Sequence, residues 1–276
     1  MSDPVLDALA GGVRIFDLGR AMELGMPQSP NHPQFRMALA RRHGDSVRAD
    51  GGSAASELII TGGHVGTHID ALSHVSHEGR LHGGLDAAEA QRGGRFTQLG
   101  VETIAPMVCR GWLLDIPATL GLGACAPGYE ITPDDLERAA SEQNVTVAPG
   151  DVVLIRSGWA QRWGDREAYV GFDSGVPGPG EAGARWLAAL RPRAVGADSI
   201  AFEHLAPGAG HSLLPAHRVM LVEHGINIIE TLDLEELARA RVYEFVFVAA
   251  PLALVGATGS PVRPLAVVSA DHGTSR

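Results

Sequence analysis

Residues 62–84 read GGHVGTHIDALSHVSHEGRLHGG and carry His64, His68, His74, His77 and His82, five of the 12 histidines of the chain, together with Asp70. Neutral imidazole nitrogens and carboxylate oxygens are the donor set for divalent zinc, manganese or iron. The stretch is therefore a candidate metal site, with a His-rich surface loop as the plain alternative. In a regular strand His64 and His68 would lie about 13 Å apart, too far for two bonds of about 2 Å to one ion. On a helical turn they would come within about 6 Å, but Asp70 would face away. The chain has to bend, and Gly63 and Gly66 supply the backbone freedom. With that bend His64, His68 and Asp70 converge as a facial set and leave open positions for water and substrate, the mark of a catalytic rather than a structural site.

Other residues extend the candidate list. Glu230 lies in INIIETL, whose alternation sets Ile226, Ile228 and Glu230 on one face. A buried carboxylate is costly without a partner, which calls for a metal or a salt bridge. His211 is a further candidate for metal contact; His77 and His82 read first as solvent-facing or backbone-bonded loop residues and second as contacts to metal or substrate, His82 being the better placed of the two. Asp198 in GADS reads equally as catalytic or as a turn cap, and Arg263 in GATGSPVRP as a carboxylate contact or part of a plain turn.

The elements that must position these groups alternate. Apolar, β-branched runs at 13–18, 57–61, 111–116, 151–157, 193–199, 226–231 and 242–249 predict strands. Between them, Thr132 and Pro133 open one helix, residues 181–190 form a second, and PAHRVMLVEH forms a third that closes at Gly225. Long Gly- and Pro-rich connections at 19–56, 117–131 and 171–181 read as binding loops on an α/β scaffold. Strands continue on both sides of each, so a single domain over 1–276 is expected.

Composition narrows the function. The 276 residues carry a formal net charge of -10, which argues against nucleic acid or anionic lipid as a partner. No segment approaches the roughly 20 apolar residues of a membrane span, and MSDPVLDALAGG lacks the order of a signal peptide, so a cytoplasmic enzyme is expected. Cys109 and Cys125 are too few for a disulfide framework and are expected to be reduced thiols. No G-x-G-x-x-G or Walker sequence opens a helix, and no G-x-S-x-G elbow or Cys beside His points to a covalent acyl-enzyme.

HVGTHIDALSH resembles the H-x-G-T-H-x-D-x-P-x-H signature of the cyclase family, which contains bacterial kynurenine formamidases and isatin hydrolases. IFDLGRAMELGMPQSPNHP, GDVVLIRSGW, GADSIAFE, AHRVMLVEHGINIIETLDLEEL and PLALVGATGSPVRPLAV are similar to the family's later and earlier segments. The resemblance implies a swivelling β/β/α domain around a mixed central sheet, usually assembled as a homodimer or homotetramer. It implies that His64, His68 and Asp70 are metal ligands, that His217 and Glu230 form a second ligand pair, and that His74 transfers protons. Asp70 is then the carboxylate able to bridge two ions. Leu72 stands where the signature has Pro, and Ser29 and His32 replace a Trp and an Asp of the family's Trp-Pro-Gly-Asp-Pro turn, removing an aromatic surface.

Together these features lead us to expect a hydrolase that uses zinc or manganese to open a carbon–nitrogen bond in a small cyclic amide, imide or formamide. A lactone hydrolase or dehydrating cyclase with the same ion is the rival enzyme. A metal- or ligand-holding protein without turnover is the rival of another class, against which His74 speaks. The changes at Ser29 and His32 favour a compact cyclic amide over formylkynurenine.

Overall fold

The structure, a computed structural model, describes residues 4–271. Eleven strands carry the argument: β1 (Val13–Asp17), β2 (Arg36–Arg41), β3 (Ser56–Ile60), β4 (His68–Asp70), β5 (Met107–Asp115), β6 (Val152–Arg156), β7 (Ala194–Ala197), β8 (Asn227–Glu230), β9 (Glu244–Ala249), β10 (Gly259–Pro261) and β11 (Leu265–Ser269). All but β2 and β3 form one mixed sheet of nine strands, in the order β1-β11-β9-β5-β6-β7-β8-β4-β10. The four central strands β5 to β8 run parallel and the flanking ones antiparallel. This is the mixed α/β architecture expected from the sequence.

Every residue of β6 and β7 is buried, as in a parallel sheet covered on both faces. Successive side chains feed opposite cores: Val153 and Ile155 join Leu136, Ala184, Leu187 and Val219 on the helical side, while Val152 and Leu154 join Ile69, Ile229, Phe245 and Phe247 on the other. On the helical side lie α1 (Pro133–Glu142) and α2 (Glu181–Ala189). Thr132 caps α1 in a reciprocal capping box with Asp135, and Pro133 fills the first turn.

Three sequence expectations change. The predicted helix at 215–224 is α-helical only over α3 (Pro215–His217) and continues as a π-helix, Arg218–His224, before Gly225 ends it at φ 67°. The supposed loop at 19–56 contains β2, which pairs with β3 as a separate antiparallel ribbon. All six β2 residues are exposed, so no half-buried alternation marked the strand. His68–Asp70 is itself a short strand, absent from the strands that the apolar runs predict. Both cysteines are free thiols, Cys125 buried. Among the described residues no helix is long and apolar enough to cross a membrane.

Candidate metal centre

The bend that lets His64 meet Asp70 sits at Gly66, whose φ is +68°. Gly63 works differently: a Cβ there would lie 2.6 Å from the carbonyl oxygen of Gly259, so its task is close approach between β10 and the turn. Beyond the turn the chain enters β4 at once, and alternation puts His68 and Asp70 on one face while Ile69 enters the core. Antiparallel pairing with β8 places Glu230 opposite His68 and Ile228 opposite Asp70. A cross-strand pair thus brings the Glu230 carboxylate to the imidazole from the far end of the chain.

The side-chain atoms converge. His64 Nδ1 lies 2.6 Å from Asp70 Oδ1. His68 Nε2 lies 3.5 Å from Asp70 Oδ1 and 3.4 Å from Glu230 Oε2. His217 Nε2 lies 3.6 Å from Asp70 Oδ2 and 3.2 Å from Glu230 Oε1. Two groups of donor atoms suit a cation, His64–Asp70–His74 and Asp70–His217–Glu230, and Asp70 belongs to both.

The orientation of each imidazole is set by its other nitrogen. His68 Nδ1 donates to the Gly66 carbonyl at 2.8 Å, and His217 Nδ1 donates to Glu203 Oε1 at 2.6 Å, so Nε2 of each ring faces the centre. Thr258 Oγ1 holds the far side of His64 at Nε2, 2.9 Å away. His74 has no hydrogen-bond partner on either ring nitrogen among the described residues, and its ring stacks on His64 with centroids 3.8 Å apart.

Charge decides what the centre lacks. Asp70, Glu203 and Glu230 are all buried, and among the described residues only histidines pair with them. Burial works against ionising Asp70 and Glu230, yet the surrounding histidines overcome it: Asp70 is held well below the ordinary carboxylate range and Glu230 is brought to about 2. The same carboxylates outweigh burial at His68 and His217 and draw protons to them. His74 goes the other way: burial lowers it to about 3, so its ring is neutral. Asp70 Oδ2 and Glu230 Oε1 are fully buried and accept no hydrogen bond. Orphaned carboxylate oxygens of this kind are expensive in a protein interior, and a divalent cation satisfies both. The residues present fit such an ion.

A family model described as "Putative cyclase" matches residues 16–204, more than half of the chain. The chain belongs to the cyclase family. An isatin hydrolase of Roseibium aggregatum is 27% identical over 224 residues, covering 80% of this chain and 77% of that protein. The crystal structure of a novel cyclase superposes with a TM-score of 0.84 at 29% identity, over 96% of this chain and 93% of that one. Isatin hydrolase A from Ralstonia solanacearum superposes with a TM-score of 0.73 at 25% identity, over 97% and 98% of the two chains.

In this cyclase-family site the structure also sorts the remaining candidates. His211 lines the same cavity of about 210 Å³ as His64, His68, His74, His217 and Glu230, and Ser29 and His32 form part of its wall. His82 does not reach it: Nδ1 donates to the Val222 carbonyl at 3.0 Å and the ring packs on Gly225. His77 is exposed. Asp198 is structural, accepting from Ser157 Oγ at 2.6 Å and from the Ser157 and Gly158 amides to fix the turn after β6. Arg263 does contact a carboxylate, but that of Asp17 on the exposed edge.

Four contributors escaped the sequence reading. Glu203 holds His217 and accepts the amides of Ala216 and His217 at 3.0 Å each, capping α3 from a distance because Leu214 offers no capping side chain. Thr258 anchors His64, and Asn227 Nδ2 donates to the Asp70 carbonyl at 2.7 Å. Thr231, next to Glu230, has φ 59°, strained for a β-branched residue, and is kept there by Thr67 Oγ1 on its carbonyl at 2.7 Å. The only local signal was the Glu that ends GADSIAFE.

Proposed function

We propose that the chain is a metal-dependent hydrolase of a carbon–nitrogen bond in a small cyclic amide, imide or formamide. The observation that carries this reading is the cluster of buried carboxylates and histidines with two orphaned oxygens, opening on a cavity. His64, His68, Asp70, His217 and Glu230 would hold zinc or manganese. When bound, such an ion acidifies water and polarises a carbonyl oxygen. The named relatives that are isatin hydrolases support the same class of chemistry.

The protein's own groups divide the remaining work. Neutral His74, with both ring nitrogens free, takes the proton from the attacking water at one of them and returns it to the departing nitrogen. Glu203 and the Gly66 carbonyl keep the His217 and His68 Nδ1 protons in place, so neither ring turns away from the centre. The small cavity and the serine at position 29 favour a compact cyclic amide or imide over formylkynurenine. Elemental analysis of purified protein and calorimetric titration with zinc and manganese test the site. Turnover of succinimide, hydantoin and formylkynurenine with and without chelator tests the activity. Absence of stoichiometric binding of either ion refutes the reading; bound metal with no turnover of any of the three reduces it to metal holding.

A further inference from the structure

A further cavity shares residues with the one at the histidines. Asn31 and His211 also line a second chamber of about 330 Å³, whose walls are mainly Val170, Phe172, Leu205, Ala209 and Gly210. The first chamber is below the usual size of a small-molecule site and has charged and polar walls on the side of the centre; the second is lined mostly by apolar residues, with Asn31, His211 and Ser212 as its polar groups, and the two together reach the ordinary range.

Phe172 is unusual in this chain. It is 55% exposed, whereas no other Phe, Trp or Tyr of the described residues is exposed. It follows Gly171, which ends a helical turn in the left-handed conformation at φ 64° and turns the chain out of the core. The ring borders Gly210, where a Cβ would come within 3.2 Å of Phe172 Cε2, so the glycine keeps a side chain from crowding the ring. A ring held in water beside a reaction cavity gains from an apolar partner.

We infer that the substrate carries an apolar arm, which passes between Asn31 and His211 and lies against Phe172 while the carbon–nitrogen bond stays at the histidines. This rests on the hydrolase reading above for the identity of the reacting group. It also explains how an aromatic surface lost at Ser29 is supplied elsewhere: on the chamber beyond the reacting group rather than over it.

The test is a series of cyclic imides that differ only in the arm: succinimide, 2-methylsuccinimide, 2-benzylsuccinimide and 2-(carboxymethyl)succinimide. The kcat/KM of the benzyl compound is expected to exceed that of succinimide roughly 10- to 100-fold, with the methyl compound between them and the carboxymethyl compound gaining nothing. Phe172→Ala is expected to reduce the benzyl-to-succinimide ratio roughly 2- to 13-fold. A ratio within twofold of one in the native protein, or one that Phe172→Ala leaves unchanged, overturns the inference. If no imide is hydrolysed, the hydrolase reading loses its imide branch independently of the arm, and calorimetry with the same compounds decides the arm. Tighter binding of 2-benzylsuccinimide than succinimide, weakened by Phe172→Ala, then supports it, and equal binding overturns it.

Discussion

Glu203 offers the sharpest perturbation of the centre that leaves every proposed ligand in place. Its carboxylate is 0% exposed and accepts three hydrogen bonds: His217 Nδ1 at 2.6 Å and the His217 amide at 3.0 Å on Oε1, and the Ala216 amide at 3.0 Å on Oε2. Glu203→Gln preserves shape. Its amide oxygen can replace Oε1 and keep two of the bonds, but its NH₂ then faces the Ala216 amide, donor against donor. The change also removes the negative charge that strengthens the bond to His217. Hydrogen bonds to a charged group contribute about 1.5–3 kcal/mol, and loss of an outer-shell partner of a metal-bound histidine typically costs 10- to 100-fold in metal affinity. These agree, since tenfold is about 1.4 kcal/mol. Calorimetric titration of Glu203→Gln with zinc and manganese should therefore give a Kd roughly 10- to 100-fold weaker, with stoichiometry unchanged. The unbound protein should lose about 1–3 kcal/mol of stability in urea unfolding from the amide left facing a donor. A Kd within twofold of the native value would show that Glu203 does not orient His217 and would refute the reasoning.

Three further outcomes are expected. His74→Ala should retain metal while turnover falls about 10²- to 10⁴-fold, the usual contribution of a proton-transfer group; loss of metal instead, measured by elemental analysis, makes His74 a ligand. Gly259→Ala should displace His64, because the new Cβ would sit 2.5 Å from His64 Cε1; weakened metal binding with an otherwise native circular dichroism spectrum is the expected reading, and native affinity contradicts it. We propose that the chain forms a homodimer or homotetramer through the β2–β3 ribbon, since Met37, Leu39, Leu58, Ile59 and Ile60 are each about half exposed and a lone two-stranded ribbon is only marginally stable in water. Light scattering after size exclusion should then show Ile59→Arg to be monomeric, and a native protein that is already a monomer removes the proposal.

Much of this was legible in the residues. β6 (VVLIR) is a mostly β-branched run buried on both faces, and β7 (AVGA) and the Ile228–Ile229 centre of β8 are short buried apolar runs, so all three could be read from local pattern. The bend at Gly66 followed from arithmetic, since no regular element brings positions 64, 68 and 70 together. Other features had no local trace. β2 is exposed throughout and lacks the half-buried alternation that marks a strand, while the π-helical stretch after His217 has the apolar spacing of an ordinary helix.

Sequence alone therefore determined which side chains could hold an ion, because ligand type is a property of the residue and His64, His68 and Asp70 lie within seven positions of one another. Their supports lie far away along the chain. Thr258 reaches His64 across 194 residues, Asn227 reaches the Asp70 carbonyl across 157, and the register of β4 against β8 puts Glu230 on His68. Any threonine, asparagine or glutamate can accept or donate such a bond, so its type predicts no partner. Only the packing of the tertiary structure, which fixes the strand register and brings His217 of α3 to Asp70 of β4, decided that Glu203 rather than another carboxylate holds His217, and that two buried oxygens stand there without a hydrogen bond.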